Sequence, residues 1–205
     1  MSPRGYNLGK RQAAIDQTRT RILEAARKLL ANEPGPSELG MEAIAREANV
    51  SRLTIYYQFG SRPGLLEALY DYLASRGNVQ RVAEAFAEPD SRRALEKMVR
   101  GLVEFWASDP VVIRRLRGMA ALDSEIDRGV RARDRRRREA AREIVRRFHL
   151  DKLDSGKLKH NNFTADVVAT LTSFESYDAL ARAGHGERAI TEIVLKLVHA
   201  AIRWR

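Results

Sequence analysis

Along almost the whole chain, apolar residues recur every three to four positions, and no stretch alternates in the manner of a half-buried strand. That period suits one building block, the amphipathic helix, so the expected fold class is all-α. Ile22, Ala25, Ala26, Leu29 and Leu30 make the first stripe, with Thr18 as its expected cap. Glu33-Pro34-Gly35-Pro36-Ser37 ends that helix, because two prolines and a glycine cannot continue it. Met41, Ile44, Ala45 and Ala48 mark a short second helix, Ser51 starts a third, and a fourth runs from about Pro63 to Arg76. After the break at Glu88-Pro89-Asp90-Ser91, helices are expected at Ser91–Ser108, Pro110–Leu122 and Ser124–Leu150. Asp109-Pro110 has the form of a helix start, a capping acid followed by proline in the first turn. A polar connection, Leu150 to Asn162, precedes two final helices, Phe163–Ala183 and Glu187–Trp204, divided by Gly184-His185-Gly186.

Composition narrows what such helices can do. The absence of cysteine rules out disulfides and thiolate metal sites. No apolar run is long enough to cross a bilayer, and Met1–Gln17 is polar, so a cytoplasmic protein without a membrane partner is expected. The net charge of +10 suggests nucleic acid, but its distribution does not support the inference. Cut at Ser75 and Asn162, the chain carries +2, +8 and 0 in its three parts. Ten arginines against three acids lie between Arg128 and Arg147, far from the candidate DNA-binding segment. That case must rest on a motif.

Met41–Gly60 supplies one, a helix-turn-helix. Ala45 is small where two helices cross closely, and Ile44, Ala48, Val50 and Ile55 form the apolar centre. The turn needs a residue that tolerates positive φ, which Asn49 does. Ser51 caps the second helix, whose outer face presents Arg52, Leu53, Thr54, Tyr56 and Tyr57 to base edges, thymine methyls and phosphates. Gln58, Arg62, Thr18, Arg19 and Arg21 are expected to hold flanking phosphates. The competing reading is an ordinary helical hairpin with a polar surface.

The stretch Thr20-Arg-Ile-Leu-Glu-Ala-Ala-Arg-Lys-Leu-Leu30 resembles the first helix of the tetracycline-repressor (TetR) family. Ala43-Ile-Ala-Arg-Glu-Ala-Asn-Val-Ser-Arg-Leu-Thr-Ile-Tyr-Tyr-Gln-Phe-Gly-Ser-Arg62 resembles its recognition segment, and Leu65-Leu66 its fourth helix. The departures are Gly40 for a capping threonine, Asn49 and Leu53 for common glycines, and Pro63-Gly64 for two polar residues. The resemblance implies a DNA-binding head, residues 18–76; before it residues 1–17, with Arg4, Lys10 and Arg11, read as a flexible basic arm, either a disordered tail or one that touches DNA. A larger helical ligand-binding and dimerisation domain, residues 77–205, would follow. It implies double-stranded operator DNA, a second copy of the chain and a small-molecule effector as partners, with no cofactor.

The body carries the remaining expectations. Val167, Leu171, Phe174, Ile190, Val194, Leu197, Val198 and Ala201 give the last two helices apolar faces on more than one side, fitting a homodimer interface or simple packing within the domain. Met98, Leu102, Phe105, Trp106, Ile113, Leu116, Met119 and Phe174 are candidates for an effector pocket, and equally for plain core. Arg133 and Arg137 fall within the inward stripe of the arginine-rich helix. Facing the pocket, they would meet an anionic ligand; a kink or frayed turn would instead release them to solvent, which the cost of burying an unpaired guanidinium favours. No phosphate-binding glycine loop, nucleophile elbow or metal-spaced histidine pair suggests an enzyme, since His149, His160, His185 and His199 are scattered. The expected function is a ligand-released repressor. Its alternatives are a ligand-responsive activator and a small-molecule-binding protein without specific DNA binding.

Overall fold

The computed structural model describes residues 8–32, 39–150 and 158–203. Among them are eleven helices and no strand: α1 (Leu8–Asn32), α2 (Met41–Glu47), α3 (Arg52–Phe59), α4 (Arg62–Arg76), α5 (Gln80–Ala87), α6 (Ser91–Ser108), α7 (Pro110–Ala120), α8 (Ser124–Leu150), α9 (Leu158–Leu171), α10 (Phe174–Arg182) and α11 (Glu187–Arg203). They form two compact units that divide within α4, between Tyr72 and Leu73.

In the N-terminal unit, Ile44, Ala48 and Ile55 of the expected apolar centre are buried while Val50 is half-buried, and Ile22 and Ala26 of α1, Ala45 of α2 and Leu65 of α4 are buried as well. The start of α1 differs from expectation. The helix begins at Leu8, so residues 8–17 are helical rather than flexible, and residues 1–7 lie outside the described residues. Thr18 is a helix-interior residue rather than a cap: its hydroxyl donates back to the Ala14 carbonyl at 2.9 Å. Threonine suits both roles, and only the residues before it decide between them.

The C-terminal unit packs α5 to α11 around Leu95, Met98, Val99, Ile144, Val168 and Ile190. Helix α5 was not expected from the sequence. It follows a tight turn in which Asn78 adopts φ 53°, and it lies against α6 where Gly101 leaves room for Val82. Asp90 caps α6 by accepting from the Arg93 N–H at 2.7 Å. Pro110 opens α7 as expected, but Asp109 makes no capping hydrogen bond.

The expected helix Phe163–Ala183 is two helices. The Thr172 hydroxyl donates back to Val168 O at 2.8 Å, and Ser173 starts α10 by accepting from the Ser176 N–H at 3.2 Å. A threonine-serine pair offers the backbone this alternative partner, which apolar periodicity alone does not reveal. Helix α8 runs unbroken through its arginines, without the kink considered above. Many of those arginines are paired: Arg131 with Asp127, and Arg146 and Arg147 with Glu143, within α8, and Arg138 and Arg142 with Asp166 of α9. The basic run is therefore largely a solvated, salt-bridged face.

Candidate nucleic-acid interface

The turn between α2 and α3 is built from local chemistry. Asn49 takes φ 51°, the left-handed conformation its position requires, and the Val50 N–H reaches back to Ala45 O at 3.0 Å. Ser51, extended at ψ 153°, turns its hydroxyl to the Thr54 N–H at 3.0 Å and so satisfies one free donor of α3. Ile55 then points wholly inward. Replacing Ser51 with alanine is expected to destabilise the N-terminal unit by about 1 kcal/mol, measured by urea unfolding; Ser51→Asp should retain most of that stability.

With Ile55 facing in, the opposite face of α3 faces out. Leu53 is 77% and Tyr57 78% exposed, and Arg52 and Tyr56 are exposed beside them. Arg52 is held towards Glu42 of α2 at 3.7 Å, while Thr54 is half-buried and shares a 2.9 Å hydrogen bond with Ser51. Arg21 is exposed on α1, and Arg62 is half-buried at the start of α4.

Two residues expected at phosphates have another task. The Arg19 guanidinium donates to Gln58 O at 2.9 Å and lies 4.4 Å from the centre of the Phe59 ring. The Gln58 amide donates to Ile15 O at 3.5 Å. Together they tie the end of α3 to α1, which positions the exposed face rather than extending it. Sequence reasoning missed this brace because its partners are about forty residues apart.

The body residues are also gathered, mostly as core. Met98, Leu102, Trp106, Ile113 and Phe174 lie in the central apolar cluster, Phe105 packs against it, and Leu116 and Met119 are buried. The Trp106 indole donates to Thr172 O at 3.1 Å and meets Phe174 edge-on at 5.6 Å. Phe174, Ile190, Val194 and Val198, expected at a dimer interface, are buried within the chain's own core and have no free side-chain surface to offer a partner. Leu197 remains 47% exposed, and Val167, Leu171 and Ala201 are half-buried.

Arg133 and Arg137 are placed differently from either expectation. Arg133 donates to the carbonyl of Gly129 on its own helix at 3.4 Å. Arg137 has only 13% of its side chain exposed; it donates to Ala169 O of α9 and pairs with Asp134 at 3.3 Å. Its Nε is buried without a hydrogen-bond partner, and burial holds its pKa below the ordinary arginine value. Asp134 also takes Arg117 of α7 at 2.8 Å, and Arg117 continues to Glu175 of α10 at 2.5 Å. This network borders an open cleft of about 560 Å³ whose walls include Leu122, Asp123, Asp127 and Val130. Arg117, Asp134 and Glu175 were not singled out in the sequence, where only the spacing of Asp134 and Arg137 hinted at a pair.

The geometry so far defines a class: a helix-turn-helix unit with an outward second helix, followed by a larger helical body. Residues 22–69 match the family model described as bacterial regulatory proteins, tetR family. The HTH-type transcriptional regulator AlkX of Mycobacterium tuberculosis is 36% identical over 110 residues, 51% of this chain and 50% of AlkX, so the match spans about half the length of that relative. A TetR-like transcriptional regulator from Rhodococcus sp. RHA1 superposes with a TM-score of 0.64 at 19% identity, covering 92% of this chain and 97% of that one. LfrR of Mycobacterium smegmatis, solved in complex with proflavine, gives 0.55 at 25% identity, covering 94% and 99%. The N-terminal unit is thus similar to the tetR family over residues 22–69, and the described residues have the all-α fold of TetR-like regulators.

Proposed function

We propose that the protein is a one-component repressor that binds a palindromic operator as a homodimer and releases it when a small molecule occupies the helical body. The observation that carries this reading is the outer face of α3, exposed on a helix whose start, turn and far end are all held. A helix presented in this way enters the major groove, where base edges are distinguishable. Tyr56, Tyr57, Leu53, Thr54 and Arg52 would meet the bases and nearest phosphates, with Ser51, Thr18, Arg21 and Arg62 at the flanks. Arg19 and Gln58 would act by positioning α3.

Two copies related by a two-fold axis would set two α3 helices against successive major grooves. Leu197, with Val167, Leu171 and Ala201, is the apolar surface left for that contact. Leu197→Glu is expected to weaken the dimer at least about tenfold, since it places a charge in an apolar seam, without unfolding the subunit. Sedimentation over a concentration series reads this; an unchanged dimer would place the interface elsewhere. LfrR, solved in complex with proflavine, supports a small-molecule effector. Release requires that the effector prefer an arrangement of the dimer other than the one bound to DNA. The protein would act in the cytoplasm, beside its operator.

Selection of binding sites from random duplex DNA tests the reading. Enrichment of a two-fold symmetric sequence with half-sites about one helical turn apart is expected, with enrichment lost in Tyr56→Ala. No enriched sequence would overturn it.

A further inference from the structure

Seven large apolar side chains stand exposed among the described residues, and three of them lie on α3, a helix of eight residues. Leu53 and Tyr57 are the most exposed of the three. Four positions apart on a helix, they are neighbours on one face and form a continuous apolar ridge. Packing does not explain it, because Ile55 supplies the inward contact of α3 and is fully buried.

Several polar groups beside the ridge are held locally. Arg52 is drawn towards Glu42, Thr54 is bonded to Ser51, and Gln58 is tied to α1. Thr54 and Gln58 are thus turned to the support of α3, while its two most exposed side chains present hydrocarbon and aromatic ring. In the major groove the apolar feature of the base edges is the C5-methyl of thymine. Leu53 and Tyr57 are separated by about 6 Å along the helix axis, at 1.5 Å per residue. That distance corresponds to about two base-pair steps of 3.4 Å.

We propose that Leu53 and the ring of Tyr57 read thymine methyl groups, so that each half-site carries two thymines within about two base-pair steps, on either strand. This rests on α3 being the recognition helix and adds what it recognises. Hydrogen-bonding readers such as arginine on guanine would then be secondary in this protein.

The test uses the full-length protein and the duplex obtained by selection. Each thymine is replaced in turn by deoxyuridine, which removes one methyl and nothing else. Binding by the unaltered protein should weaken roughly fourfold at two positions in each half-site, the effect of one buried methyl. Leu53→Ala should bind the thymine duplex more weakly and become indifferent to deoxyuridine at one of those positions. Tyr57→Ala should do so at the other. The substitution is in the DNA, so the result for the unaltered protein does not depend on how the variants fold. Specific binding in which every deoxyuridine is neutral overturns the proposal and leaves operator recognition standing. The same follows if both variants keep the full sensitivity. Failure to select any sequence removes operator recognition itself, and this inference with it.

Discussion

Gly64→Ala should cost the N-terminal unit about 3 kcal/mol, the upper end for forcing an atom into a packed site. A Cβ on Gly64 would overlap the carbonyl oxygen of Phe59, a backbone atom at the end of α3 that cannot turn aside as a side chain would. The clash would push α4 from α3, or shift the end of α3 that Arg19 and Gln58 hold. Either way the exposed face of α3 moves, so operator binding should weaken by more than the loss of stability accounts for at saturating protein. Gly118→Ala is the control: nothing lies within 4 Å of its added Cβ, on an exposed face of α7. That change should be neutral or stabilise by up to about 1 kcal/mol, as expected for alanine over glycine in a helix. Chemical unfolding of both variants decides the matter, and equal stabilities would refute the stated role of Gly64.

Asp134→Asn should destabilise the C-terminal unit by about 2 kcal/mol, somewhat less than breaking a fully buried pair because the carboxylate is partly exposed. Asp134 lies between Arg117 and Arg137, and without its charge the largely buried Arg137 keeps its bond to Ala169 O but loses its anionic partner. Burial alone would raise the Asp134 pKa, but Arg117 and then Arg137 outweigh it and hold the carboxyl below its ordinary value. A carboxyl whose folded pKa is depressed contributes stability that is complete above the unfolded value, near about 4, and is lost as the pH falls through the folded pKa. The unaltered protein should therefore lose stability more steeply below that pH than Asp134→Asn. Unfolding curves recorded from neutral to acid pH read the difference, and parallel curves would show that the network contributes nothing.

What the sequence made legible was mostly what depends on near neighbours. Asn49 in the turn and Ser51 at the cap follow from backbone requirements only a few residues long, and both stand as expected. The inward stripes of α2, α3 and α6 were readable for the same reason. Thr18 and the Thr172-Ser173 pair misled, because a hydroxyl serves a helix interior, a cap or a break with equal ease. Long-range pairings were not legible: nothing in the sequence joins Arg19 to the end of α3, or Arg117 to both Asp134 and Glu175. Apolar periodicity likewise did not separate Val198, buried in the chain's own core, from Leu197, left on its surface one residue away.

Whether α3 reads a particular DNA sequence is decided by competition. The selected duplex, fluorescently labelled, is bound at about 150 mM salt, near physiological ionic strength, and challenged with unlabelled copies of itself or of a scrambled duplex of equal composition. The scrambled duplex should compete at least about a thousandfold more weakly, the margin that separates specific from sequence-blind binding. Equal competition by the two duplexes would contradict it, leaving only the electrostatic attraction that any basic protein has for DNA.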